Sequence, residues 1–123
     1  MLPGDCVSEL RSRWFPNMTD AGLSRLIELL DSASPLLVHG KFTGVLPMGC
    51  LASHIGWHHP QVCHRTTDAG ILWLTRIAGL NPATSKVILE WDKSGVQCWP
   101  VRQQLADLFR AERSRRAECQ LAG

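Results

Sequence analysis

Thr19-Asp20-Ala21-Gly22-Leu23-Ser24-Arg25-Leu26-Ile27-Glu28-Leu29-Leu30-Asp31 is the stretch whose reading decides the fold. Leu23, Leu26, Ile27 and Leu30 recur at the three- and four-residue spacing of one helix face, with Arg25, Glu28 and Asp31 turned away. Thr19 or Asp20 supplies the side-chain oxygen that caps the first turn. Ser34-Pro35 ends the helix, because the residue before a proline is pushed out of α geometry. A helix with one apolar stripe must bury it against another, so the flanks are read for matching stripes.

Toward the N-terminus, Asp5 caps a short helix in which Val7, Leu10 and Trp14 share a face and Pro16 closes the run. In the other direction Pro47 opens a helix from Met48 to His59, stopped by Pro60, and Gly49 and Gly56 weaken it by about 1 kcal/mol each relative to Ala. Thr67 caps a helix from Asp68 to about Gly79. Its Ile71, Leu72, Trp73, Leu74, Ile77 and Ala78 leave little polar face, which marks it as the central helix, and Gly79 supplies a left-handed end. Asn81-Pro82 reads as a cap with proline in the first turn of a helix to Asp92 that buries Val87, Ile88 and Trp91. Lys93-Ser94-Gly95 is a turn, and Pro100 opens a last helix with Val101, Leu105, Leu108 and Phe109 inward. The expectation is one all-α domain over residues 1–123, a bundle of five to six short helices, with 110–123 a fraying basic helix end. Leu36-Leu37-Val38 and the glycines at 40 and 44 leave one alternative, an α+β fold with a small strand element around 36–46.

Composition narrows the function. The chain has 123 residues, 45% apolar and 20% charged, one domain's worth and large enough to fold without a metal or disulfide. Its net charge of +2 is no polyanion magnet, and no apolar run approaches the roughly 20 residues of a membrane span. Collagen, coiled coil, membrane span and disordered tail are excluded. The opening Met1–Cys6 lacks the layout of a signal peptide, and five irregularly spaced cysteines form no disulfide framework, so a reducing, cytoplasmic location is expected.

The chemistry concentrates between Cys50 and His64, where four of the five histidines and two of the five cysteines lie. Cys50, His54 and His58 advance by only about 40° per step along one helix face. Residues at i and i+4 can share one metal ion, whereas i and i+8 stand about 12 Å apart along the axis. The expected quartet is therefore His54 and His58 from the helix with Cys63 and His64 from beyond Pro60. His59 is the substitute for His64, Cys50 the alternative helix partner of His54, and His39 a distant fifth. Mixed imidazole and thiolate donors suit zinc first, then iron, nickel or copper. Clustered imidazoles also suit a pH-responsive site, and Trp57 is placed to shield it.

Three other classes compete. Cys50 in a helix's first turn, one turn from His54, has the outline of a nucleophile and its base. Residues 68–93 have the outline of a helix-turn-helix, with Lys86 and Lys93 on the would-be recognition helix and Arg110, Arg113, Arg115 and Arg116 extending a nucleic-acid surface to 116. A purely structural domain that docks a protein partner or a second copy fits the Trp and Leu content. The leading expectation is a small binding or regulatory protein with the 50–64 site.

Overall fold

Helix α2, Asp20–Asp31, forms where the apolar stripe requires it. Thr19 sits at its N-cap and its Oγ1 accepts the Gly22 amide at 3.1 Å. Leu23, Leu26, Ile27 and Leu30 are buried, and Leu29 joins them because α2 packs against two neighbours, α3 and α6. The structure is a computed structural model and describes residues 2–32, 34–38, 48–62, 68–94 and 99–122, the side chains of 94, 121 and 122 aside.

The described chain is all-α. Helix α1, Gly4–Glu9, runs on through a π turn, Leu10–Trp14, into a 3-10 turn, Phe15–Asn17. Helix α3 is Leu51–Trp57, and α4 is Ala69–Leu72, continued by a π turn, Trp73–Ile77. Helices α5, Lys86–Ser94, and α6, Trp99–Ala122, complete the set. Of the alternative strand, the described residues contain a single parallel bridge between Leu37 and Gly49. Residues 39–46 of that segment lie outside those described.

Three helix starts differ from expectation. Helix α3 begins at Leu51 and not Met48, because the Gly49 amide donates to the Leu36 carbonyl and the Val38 amide to the Gly49 carbonyl, both at 2.9 Å. Helix α1 starts at Gly4 after Pro3, so Asp5 lies inside the first turn instead of capping it. Helix α5 begins at Lys86, four residues after Pro82. Asn81 Oδ1 accepts the Ala83 amide at 2.8 Å and closes a local turn, and Ser85 takes the capping position.

The start of α5 is organised by Glu9, 76 residues away. Its carboxylate accepts the Lys86 amide at 2.9 Å, the Val87 amide at 3.1 Å, the Ser85 hydroxyl at 2.6 Å and the Trp14 indole N–H at 3.1 Å. Ser85 Oγ accepts the Ile88 amide, and the Ser85 amide reaches the Asn81 carbonyl. All four amides that a helix N-terminus leaves without partners are thus satisfied, two of them by a negative charge where the helix dipole favours one.

The core fills around the indoles. Trp14 and Trp73 meet edge to face, centroids 5.0 Å apart, each at one end of a π turn. The extra residue in such a turn rotates the next stretch of helix, and here it accompanies two bulky rings meeting in the core. The N–H of Trp73 reaches the Asn17 carbonyl at 3.0 Å and that of Trp91 the Val38 carbonyl at 2.8 Å. Gly79, at φ 70°, ends the α4 run as expected, with the Leu80 amide returning to the Leu74 carbonyl at 2.8 Å.

Helix α6 stays helical through Ala122 and is fastened to other elements as far as Arg116. Arg110 pairs with Asp31 and Asp107. Glu112, 6% exposed, takes Arg115 at 2.8 Å and Arg116 at 2.7 Å, and Arg116 reaches on to Asp20 and the Phe15 carbonyl. The hydrogen bonds from Arg115 hold the Glu112 carboxyl below its ordinary 4.5 against the opposing effect of burial, and Arg116 reinforces them.

Replacing Glu9 with Ala orphans the α5 amides and the Ser85 and Trp14 donors together, and is expected to destabilise the fold by about 2–4 kcal/mol in urea unfolding. Glu112 contributes stability that is complete above pH 4.5 and lost as pH falls through its depressed folded value. Glu112→Gln is therefore expected to lower the melting temperature at pH 7 and to flatten its decline below pH 4.5, read by thermal scans across pH.

Candidate functional site

Helix α3 is seven residues long and every one of them is buried. The reason is packing on two sides, at ordinary contact distance toward α2 and much closer toward α4. A Cβ on Gly22 of α2 would lie 3.7 Å from the Ile55 Cα and the His58 Cβ. One on Gly56 would strike the Ala69 carbonyl oxygen at 2.6 Å, and one on Gly70 the Ser53 amide nitrogen at 2.8 Å. The glycine that costs α3 intrinsic helicity is thus required by its crossing with α4, where backbone meets backbone.

This packing puts the histidines to different uses. His54, 2% exposed, has Nε2 at 2.8 Å from the Leu36 carbonyl oxygen. A carbonyl only accepts, so Nε2 carries the proton. Its ring stands edge-on to Trp57, centroids 4.9 Å apart. His58, half-buried at the C-cap of α3, has Nδ1 at 2.8 Å from the His54 carbonyl, so there the proton is on Nδ1 and Nε2 holds the lone pair. The His58 carbonyl in turn accepts the Thr19 hydroxyl at 2.8 Å. In His59 the Gln61 amide donates to Nδ1 at 3.2 Å, which leaves the proton on Nε2, and burial pushes this imidazole below 6.5.

Of the expected quartet, His54 and His58 do fall on successive turns, but the bonded nitrogen of His54 is a proton donor to the backbone. Cys63 and His64 lie outside the described residues, as does His39. Among the described residues no three His, Cys, Asp or Glu side chains come together to hold a metal.

The nucleophile reading meets a physical obstacle at Cys50. This residue is the N-cap of α3, 2% exposed, with Sγ 3.8 Å from Ser53 Oγ. Burial raises the thiol above 9.0, outweighing the hydrogen bonds from Ser53, so the protonated form prevails at neutral pH. His54 Nε2, as a donor to Leu36, is no acceptor for its proton. Cys6 is likewise buried, its thiol pushed up to about 12 by desolvation, with Glu9 adding to the effect.

The two helices of the helix-turn-helix outline exist as the α4 run and α5, but eight residues, 78–85, separate them where the motif has a short turn, and a recognition helix presents its N-terminal residues to base edges. That end of α5 is closed by the Glu9 carboxylate, and Val87, Ile88 and Trp91 are buried. In the arginine run, Arg110, Arg115 and Arg116 are matched with carboxylates, while Arg113 stays exposed.

Sequence reading missed a groove between the α1 run and α6. It has a volume of about 500 Å³ and is lined by Arg11, Phe15, Leu108, Ala111, Glu112 and Arg115. The available signal was the spacing of Leu108, Ala111, Glu112 and Arg115 at i, i+3, i+4 and i+7, a stripe that mixes apolar and charged residues and so suits neither core nor solvent. Compared with known proteins, the chain matches no protein family, no curated protein and no solved structure.

A variant carrying Cys63→Ser, Cys98→Ser and Cys119→Ser retains only the buried thiols of Cys6 and Cys50. It is expected to resist iodoacetamide at pH 7 while folded and to take up two labels in urea, counted by intact mass.

Proposed function

We propose that the chain is a small binding or regulatory protein that takes up a transition metal, zinc first, at the outer end of α3. His58 is the anchoring ligand through Nε2, and Cys63 and His64, five and six residues further along the chain, complete the donor set. The observation that carries this reading is the His58 ring itself. Its Nδ1–H is committed to the His54 carbonyl at 2.8 Å, which presents Nε2 as the lone-pair nitrogen. Metal-binding histidines are oriented in this way, by giving the other ring N–H to a carbonyl or carboxylate. Thr19, bonded to the His58 carbonyl, steadies the same residue from α2. A thiolate with two imidazoles is a donor set that zinc favours, and it leaves a fourth position for water or a partner's group. His54 and His59 take supporting roles in this reading, His54 as the brace to Leu36. The reading keeps the protein in a reducing, cytoplasmic compartment, where Cys63 remains a thiol.

Plasma mass spectrometry on untagged protein, desalted after incubation with zinc, is expected to find close to one metal per chain. His58→Ala and Cys63→Ser should each remove most of it, and His59→Ala should leave it in place. Full occupancy in His58→Ala, or a blank in the unaltered chain, overturns the assignment.

A further inference from the structure

The groove between the α1 run and α6 is independent of the histidine segment, and its make-up selects a ligand. Phe15 forms part of its floor, 7% exposed and backed edge to face by Phe109 at 5.8 Å. Leu108, read from sequence as a core residue, is only half covered here, and the small, exposed Ala111 beside it leaves the space open. Two guanidinium groups and one carboxylate line the groove, a net charge of +1. Arg115 commits its Nε and Nη2 to Glu112, which Arg116 also holds, so the acid on the floor is already neutralised by bonded partners. Arg11, on the opposite wall, is exposed and makes no ion pair among the described residues. The site therefore offers apolar contact along its length and an unmatched cation at its edge.

Size decides the class of occupant. A protein partner needs about 800 Å² of surface on each side, more than the seven residues lining the groove provide. A volume of about 500 Å³ falls within the range of roughly 300–1,000 Å³ typical of small-molecule pockets. We propose that this groove binds a single-chain anionic amphiphile, an alkyl carboxylate whose tail lies along Phe15, Leu108 and Ala111 and whose headgroup pairs with Arg11. The headgroup then balances the charge of Arg11, and the tail covers apolar surface that the fold itself leaves half open.

The test is calorimetric titration of the full chain with dodecanoate below its micelle-forming concentration, at low ionic strength. Saturable binding with a stoichiometry near one is expected, with no detectable heat from butyrate, which lacks the tail, or from dodecyltrimethylammonium, which reverses the headgroup. Ala111→Trp fills the groove from an exposed position, and Arg11→Glu reverses the charge at its edge; each is expected to weaken binding by about tenfold or more. Circular dichroism confirms that both variants keep their helices, and Arg11→Glu alone suffices should Ala111→Trp not fold. Equal affinity for the cationic amphiphile, affinity unchanged by Arg11→Glu, or no saturable heat with dodecanoate overturns the proposal. None of these outcomes depends on whether His58 holds a metal.

Discussion

A carboxylate facing the bare amides of a helix N-terminus is among the more favourable placements a charge can find in a protein, since fixed dipoles replace the water it gives up. In this fold that carboxylate is Glu9, on α1 packed beside α5 but 77 residues before it in the chain. Its position organises its neighbours. The Ser85 hydroxyl, held by Glu9, is free to cap the Ile88 amide with its own lone pair. Trp14, tied to the same carboxylate, is held where its ring meets Trp73. Three elements that share no local sequence signal are thus registered by one side chain.

A second constraint acts on α3, and it is one of distance rather than charge. Gly56 and Gly70 let α3 and α4 approach until main chain touches main chain, while α2 meets α3 at Gly22 at ordinary van der Waals distance. Helices so close bury the polar groups between them, which must then find partners inside. The Ser53, His54 and Thr19 side chains lie in this region, and two of their bonds end on backbone carbonyls, at Leu36 and His58. Of the two histidines that the sequence presents as helix ligands, His54 is thereby drawn into bracing the segment before α3, while His58 at the helix end gives its Nδ1 proton to the His54 carbonyl.

Much of what short-range periodicity decides was legible in the sequence, although Ile71, read as buried on the helix after Asp68, is 39% exposed. The α2 stripe, the inward Val87, Ile88 and Trp91, the Gly79 stop and the all-α class each depend on neighbours within a few residues, and each stands in the structure. Helices α3 and α5 start later than local spacing predicts because the deciding groups are remote, Leu36 and Val38 for one and Glu9 for the other. For the site, the shared face of His54 and His58 was visible from spacing, but which nitrogen carries each proton depends on carbonyls that only the folded chain brings near. The groove escaped notice because its two walls come from opposite ends of the chain, and neither wall looks unusual alone.

The same long-range fastenings bear on how the chain is made. The Leu2 amide bonds to Gln104, Glu9 to the start of α5, and the Phe15 carbonyl to Arg116. During synthesis at roughly 5–20 residues per second, the first helical run leaves the ribosome several seconds before any of these partners exists. In the early part of that interval Trp14, wholly buried in the finished protein, has no Trp73 ring to meet. The first helical run therefore reaches its final bonds late, once α5 and α6 have been made to receive it.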